Sequence, residues 1–328
     1  MSSYKYPYIH ANRLIILATQ VEGAKVMDRD LRRGSVEMTA AMLISGTIGW
    51  FVLMSGQPVA GVVFWRCVFG AATLAVLAAF FGLIDLKHLR MKVILLSALG
   101  GVAIVLNWLL LFAAYPRASI SIATMVYNTQ PFMLLGLGAI FLGEKITASK
   151  LLWLSLSFAG MVAIVSAEPA GGYEPVDYLT GIALSLGAAF FYAIAALVTK
   201  LLKGTPPHLI ALVQVITGAA MLAPFALAAP LPQGTLQWTL LLTVGVVHTG
   251  IMYILLYGAI QKLPTHMTGA LSFIYPIAAI LVDRIAFGHA LQPAQIAGSI
   301  AILIAAAGTN LGWTLRPPSA KRGLKRQA

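Results

Sequence analysis

Few side chains in this sequence can do chemistry in an apolar setting, and those that can recur at similar depths along its hydrophobic runs. Arg66 is the one charge placed well inside such a run, roughly a third of the way in from one end. At the centre of a bilayer an arginine costs about 2.5–3.5 kcal/mol on insertion scales. It is therefore expected to face protein or water, where it could hold a substrate carboxylate; satisfying helix-end carbonyls is the competing structural role. Asn107 and His248 are polar groups near mid-run, and Asn128 stands beside Tyr127. Trp50, Trp108, Tyr127, Tyr192, Tyr253, Tyr257 and Tyr275 supply ring faces near them. Amides, imidazole and phenols offer donors and acceptors, and rings offer stacking and cation–π surface. That is chemistry for binding a small molecule. Chemistry for transforming one is missing: no HExxH, GxSxG or GxxxxGK motif and no aspartate-rich pair occurs, so neither an enzyme nor a cofactor nor a metal site is expected. Glu144 and Asp283 fall at helix ends, which disfavours carboxylate-based proton coupling and leaves His248 or His266 as the titratable groups. The lone Cys67 lies in an apolar run and reads as a small core residue.

The elements that must position these groups are membrane helices. The chain is 59% hydrophobic and 10% charged over 328 residues, with mean hydropathy +0.88, against a charged share of about 25% in soluble domains. Ten continuously apolar segments of about 20 residues, the length that crosses the hydrocarbon core, are expected at 36–56, 59–83, 92–114, 118–142, 148–166, 179–201, 207–228, 236–260, 264–287 and 293–313. Their continuity excludes the alternating pattern of barrel strands, so the fold class is an all-α polytopic membrane protein. With both termini in the cytoplasm, all but three of the 22 Lys and Arg fall on the inner side; Arg117 and Arg284 fall outside and Arg66 within. The net charge of +12 is thereby explained without nucleic acid.

An internal repeat organises the ten segments. Leu110, Leu111, Ala114, Arg117, Pro131, Ile140 and Gly143 are matched, 145 positions on, by Leu255, Leu256, Ala259, Lys262, Pro276, Ile285 and Gly288. The expected units are a cytoplasmic segment 1–35, a five-helix repeat 36–166, an outer-face linker 167–178, a second repeat 179–313 and a basic cytoplasmic tail 314–328. An odd number of helices per half inverts the second half, which places a site between the halves near the midplane and permits rocking between two open states. Pro131 and Pro276, each expected in mid-helix, are the hinge candidates.

The run ASISIATMVYNTQPFMLLGLGAIFLGEKIT and the arginine-bearing FWRCVFGAATLAVLAAF resemble the EamA family of the drug/metabolite transporter superfamily over about residues 38–313. Gln214 and His289 depart from its pattern in the second half, where Arg and Glu would stand. Within the family the aromatic amino-acid exporters are most similar. The resemblance implies a multi-pass inner-membrane carrier that exports amino acids, aromatic or bulky apolar ones, without ATP. It further implies a small-molecule substrate, the bilayer as surroundings, and a monomer or weak homodimer. Efflux of drugs or cationic compounds is the alternative within transport, and an enzyme acting on lipid-linked substrates the alternative outside it.

Overall fold

A computed structural model describes residues 7–82, 87, 90–143, 146–167, 174–202, 204–263, 267 and 271–313, with side chains described from residue 29 onward apart from a few within helices. Every regular element among these residues is helical: α1 (Pro7–Met54), α2 (Val59–Phe80), α3 (Met91–Tyr127), α4 (Gln130–Leu142), α5 (Ala148–Val165), α6 (Pro175–Leu201), α7 (Pro207–Ala228), α8 (Thr235–Gly245), a π-helical turn (Val246–Ile251), α9 (Met252–Lys262), α10 (Ile274–Phe287) and α11 (Pro293–Asn310). Among the described residues, six helical stretches are long and apolar enough to cross a membrane: 29–54, 59–80, 91–127, 176–201, 208–228 and 235–256.

The ten expected segments differ from these six for local reasons. The third and fourth run together in α3, bent where Ser119 takes a left-handed backbone (φ 66, ψ 160) three residues after Pro116. The fourth is then interrupted again at Asn128–Thr129, so its far half, α4, is only 13 residues long. The buried carbonyls at that break accept side-chain donors in addition to backbone N–H groups. Asn128 Nδ2 donates to Thr124 O (2.7 Å) and Thr129 Oγ1 to Val126 O (2.8 Å). Pro131 falls in the first turn of α4, where its missing N–H costs nothing. It starts a helix and does not bend the middle of one. Pro276 likewise stands in the first turn of α10 and is buried. Replacing Pro131 with Ala is expected to preserve the break and to change stability by less than about 1 kcal/mol, read as a shift of a few degrees at most in the thermal melt.

A repeat is visible in how the helices pair. α1 packs on α8, α9 and α10 of the other half, while α6 packs on α3 and α4, so each half lends its first helix to its partner. α2 lies against α7, and α5 against α11. The α2 and α7 helices are both 22 residues long with prolines, Pro58 and Pro206, as N-caps. Counted from those caps, Arg66 and Gln214 occupy the same place. Gly143 and Gly288 end α4 and α10 as left-handed caps with φ 65 and 71, a conformation that favours glycine. At the α5–α11 crossing the backbones touch: a Cβ on Gly160 would stand 2.6 Å from Gly298 O, and one on Gly298 would strike Gly160 O.

Asp283 corrects the expectation for a helix-end carboxylate. It is 0% exposed, and its Oδ2 accepts from Ser121 N (3.0 Å) while Oδ1 lies 2.9 Å from His289 Nδ1. Ser119 Oγ accepts from Ile122 N (3.3 Å). The amides just past the bend are thus capped by a hydroxyl from their own chain and a carboxylate from the other half, an arrangement that the positive end of a helix favours.

Candidate functional site

Between the halves lies a cavity of about 970 Å³, at the upper end of ordinary ligand pockets. α1, α2, α3, the α3–α4 break, α6, α7, the π turn, α9 and the start of α10 all contribute to its wall. Exposed Thr199 and Lys200 mark its mouth, at the end of the bundle where α1 begins its apolar course and α6 finishes. Toward the opposite end stands a buried layer that includes Ile120, packed on Gly49, and the Asp283–Ser121 contact.

Arg66, Asn107, Trp108, Tyr127, Asn128, Tyr192, His248, Tyr253 and Tyr275 are brought together on this one wall, with Pro131 beside them. Trp50 is elsewhere, half-buried and edge-on to Phe51 at 4.9 Å. Pro276 is buried behind the cavity and does not line it. Tyr257 is placed on α9, but its side chain is outside the described residues, as are Glu144 and His266. Gln130, the polar residue beside Pro131, and Ser272 also line the cavity, as their places near the prolines suggest. Sequence reasoning passed over Phe112, Phe273, Met38 and Met42, which line it too and carry no local signal.

Arg66 is held at three points. Its Nε donates to Thr249 Oγ1 (3.0 Å), an Nη contacts His248 O (3.4 Å), and Cζ lies 3.9 Å from the Trp108 ring centroid. The π turn makes this possible. Its wider winding lets Thr249 Oγ1 donate back to Val244 O, five residues earlier (3.2 Å), leaving a lone pair of the same oxygen for the guanidinium. The turn is seated by glycine: a Cβ on Gly245 would strike Phe69, and one on Gly250 would strike Thr73. No carboxylate among the described residues lies within ion-pairing distance of Arg66. Stacking on Trp108 recovers up to about 2 kcal/mol in a desolvated site, less than the burial costs.

His248 ties α1 to the π turn. Its Nε2 is 2.9 Å from Thr47 Oγ1, which itself lies 2.8 Å from Ile44 O. A hydroxyl has one hydrogen; with that hydrogen on Ile44 O, the imidazole Nε2–H donates to Thr47. Nδ1 to Thr243 O, at 3.4 Å, is at the limit of hydrogen bonding.

Asn107 is fixed in the opposite sense. Its Nδ2 donates to Ala188 O (2.7 Å), and because a carbonyl can only accept, the amide orientation is determined. Oδ1 has no hydrogen-bond partner, nor has Gln130 Oε1. The cavity therefore combines a buried arginine with no carboxylate beside it, two acceptors without donors, Lys200 at the mouth, and aromatic walls such as the Tyr127–Tyr192 pair at 5.9 Å. This arrangement can hold a small polar molecule with an apolar body.

Comparison with known proteins gives concordant results. The model of the EamA-like transporter family matches residues 33–166 and again 179–311. The uncharacterized transporter YxxF of Bacillus subtilis is 28% identical over 272 residues, covering 81% of this chain and 86% of its own. An uncharacterized transporter of Archaeoglobus fulgidus is 26% identical over 288 residues, covering 87% and 98%. A Salmonella typhimurium protein named as a probable amino-acid metabolite efflux pump is 23% identical over 195 residues, covering 56% and 64%. One solved crystal structure superposes with a TM-score of 0.60 at 17% identity, covering 84% of this chain and 95% of that one, a likeness of fold.

Proposed function

The chain belongs to the EamA-like transporter family, and from that premise we propose that it exports amino acids, bulky or aromatic ones, by alternating access across a cell's inner membrane. The observation that carries the reading is the cavity between the halves, reached from one end of the bundle and covered at the other. Arg33, Lys200 and Lys262 stand at the open end, which by the positive-inside bias is the cytoplasmic one. The conformation is then inward-open, ready to load substrate for export. Ten crossings with both termini inside complete the topology, with α4 and α10 as the far halves of the fourth and ninth. The interruptions before α4 and α10, marked by Pro131 and Pro276, act as hinges.

Purified protein in liposomes preloaded with L-phenylalanine should exchange labelled L-phenylalanine with saturable kinetics. Flux that rises without saturation would indicate a channel, and no exchange of any amino acid would remove the amino-acid assignment. Wild-type rates in Asn128→Leu/Thr129→Val, which removes the two side chains that cap the interruption before α4, would remove that hinge while leaving the transporter intact.

A further inference from the structure

We infer that Arg66 and Asn107 form a polarised head-group clamp that selects for a carboxylate carrying a nearby hydrogen-bond donor and selects against amines that lack a carboxylate. The inference rests on the reading of the cavity as a transport site and adds the chemistry by which that site chooses.

Two buried groups, each left incomplete, carry it. Arg66 is 3% exposed, and its partners are a hydroxyl, a distant carbonyl and a ring face. All three are neutral, so the guanidinium positions itself without being neutralised, and an anion entering the cavity finds a cation already desolvated and oriented. Asn107 is 1% exposed with Oδ1 lacking a donor. Its Nδ2 is committed to Ala188 O, so the side chain cannot turn to offer an N–H instead. It asks for a donor, and an unmet buried acceptor penalises any occupant without one.

Both line the same cavity, and Trp108, on whose ring Arg66 stacks, lines it with them. An anionic group and a donor are therefore both called for within one site, as an α-amino acid head group supplies them, while Gln130 Oε1 is a second unpartnered acceptor on the wall. The remaining wall, including Phe112, Tyr253 and Tyr275, receives the apolar body. A phosphate dianion fits less well, since it calls for clustered cations, whereas Arg66 is buried in the wall and Lys200 stands exposed at the mouth. An organic cation meets Arg66 as a like charge.

The test compares three probes in counterflow with the full-length protein: L-phenylalanine, phenethylamine without the carboxylate, and 3-phenylpropionate without the amine. Phenylalanine should compete best, phenylpropionate more weakly, and phenethylamine negligibly. Arg66→Gln should raise the phenylalanine KM at least tenfold, and Arg66→Lys should restore part of it. Asn107→Ala should raise KM about tenfold for phenylalanine and leave it unchanged for phenylpropionate, which has no donor to lose; general damage to the fold would affect both probes alike. Saturable phenethylamine flux that is insensitive to Arg66→Gln overturns the clamp and leaves the transporter standing. Equal effects of Asn107→Ala on both acids remove Asn107 from it. No saturable flux of any probe overturns the clamp together with the amino-acid reading.

Discussion

Asp283→Ala should unfold the protein at a lower temperature than wild type, by an amount corresponding to about 1–3 kcal/mol, the usual cost of leaving a buried donor without its acceptor. The carboxylate is fully buried and serves two groups at once, Ser121 N–H and His289. Alanine leaves the Ser121 amide without this acceptor and takes the carboxylate away from the His289 imidazole. Asp283→Asn separates the two contributions. Its amide oxygen can still accept from Ser121 N–H while the charge is lost, so roughly half the effect should remain. A functional consequence accompanies the thermal one, because the contact ties α10 of one half to the bend in α3 of the other at the covered end of the cavity. A cysteine placed at position 119 in a Cys67→Ala background should react with a membrane-impermeant thiol reagent faster when Asp283 is alanine. Unchanged melting and unchanged labelling together would show that the contact holds nothing closed.

Gly160→Val should damage the scaffold strongly. Its Cβ would stand 2.6 Å from Gly298 O, closer than real Cβ contacts occur, and a branched side chain cannot avoid the obstruction. Overpacking of this kind typically costs about 1–3 kcal/mol, and here the opposing atom is backbone, so relief requires α5 and α11 to move apart. Loss of monodisperse protein on gel filtration, or a melt lowered by several degrees, is the expected result. Gly136→Ala is a matched control, since a Cβ there meets nothing within 4 Å, and should be neutral. Small residues let membrane helices approach closely, and the Gly160–Gly298 crossing is where the two halves do so backbone to backbone.

Much of the fold was readable from the sequence where a local rule had a single solution. Gly143 and Gly288 stand out by spacing alone, and both end their helices in the left-handed conformation that glycine accommodates. The grouping of aromatic and polar residues at similar depth was readable because apolar helices make such residues conspicuous. Other features depended on contacts between distant positions. Ser119 is no glycine, and nothing in its neighbourhood announces a positive φ; Asp283 from another helix meets the amide two residues on, at Ser121. Pro131 was taken for a bend because proline bends helices, yet the break falls two residues earlier, where Asn128 and Thr129 can cap carbonyls with their own side chains. Asp283 reads as a helix-end carboxylate in the sequence since Ser121, the group that holds it across the halves, is 162 positions away. The π turn left only Gly245 and Gly250 as a trace.

The Asp283–Ser121 contact has a further consequence, which concerns populations. A perfectly symmetric inverted repeat would make its two end states equivalent by a two-fold rotation and equal in free energy, each half occupied at rest. This chain departs from that symmetry: 145 positions before Asp283 stands Gly138, with no side chain at all, and Glu144 stands where His289 does in the other half. The contact that closes one end therefore has no chemical twin for the other. Each 1.4 kcal/mol of imbalance shifts the resting ratio tenfold. The unliganded carrier should thus dwell in the conformation described here, and substrate binding must supply the differential affinity that brings the second state into play.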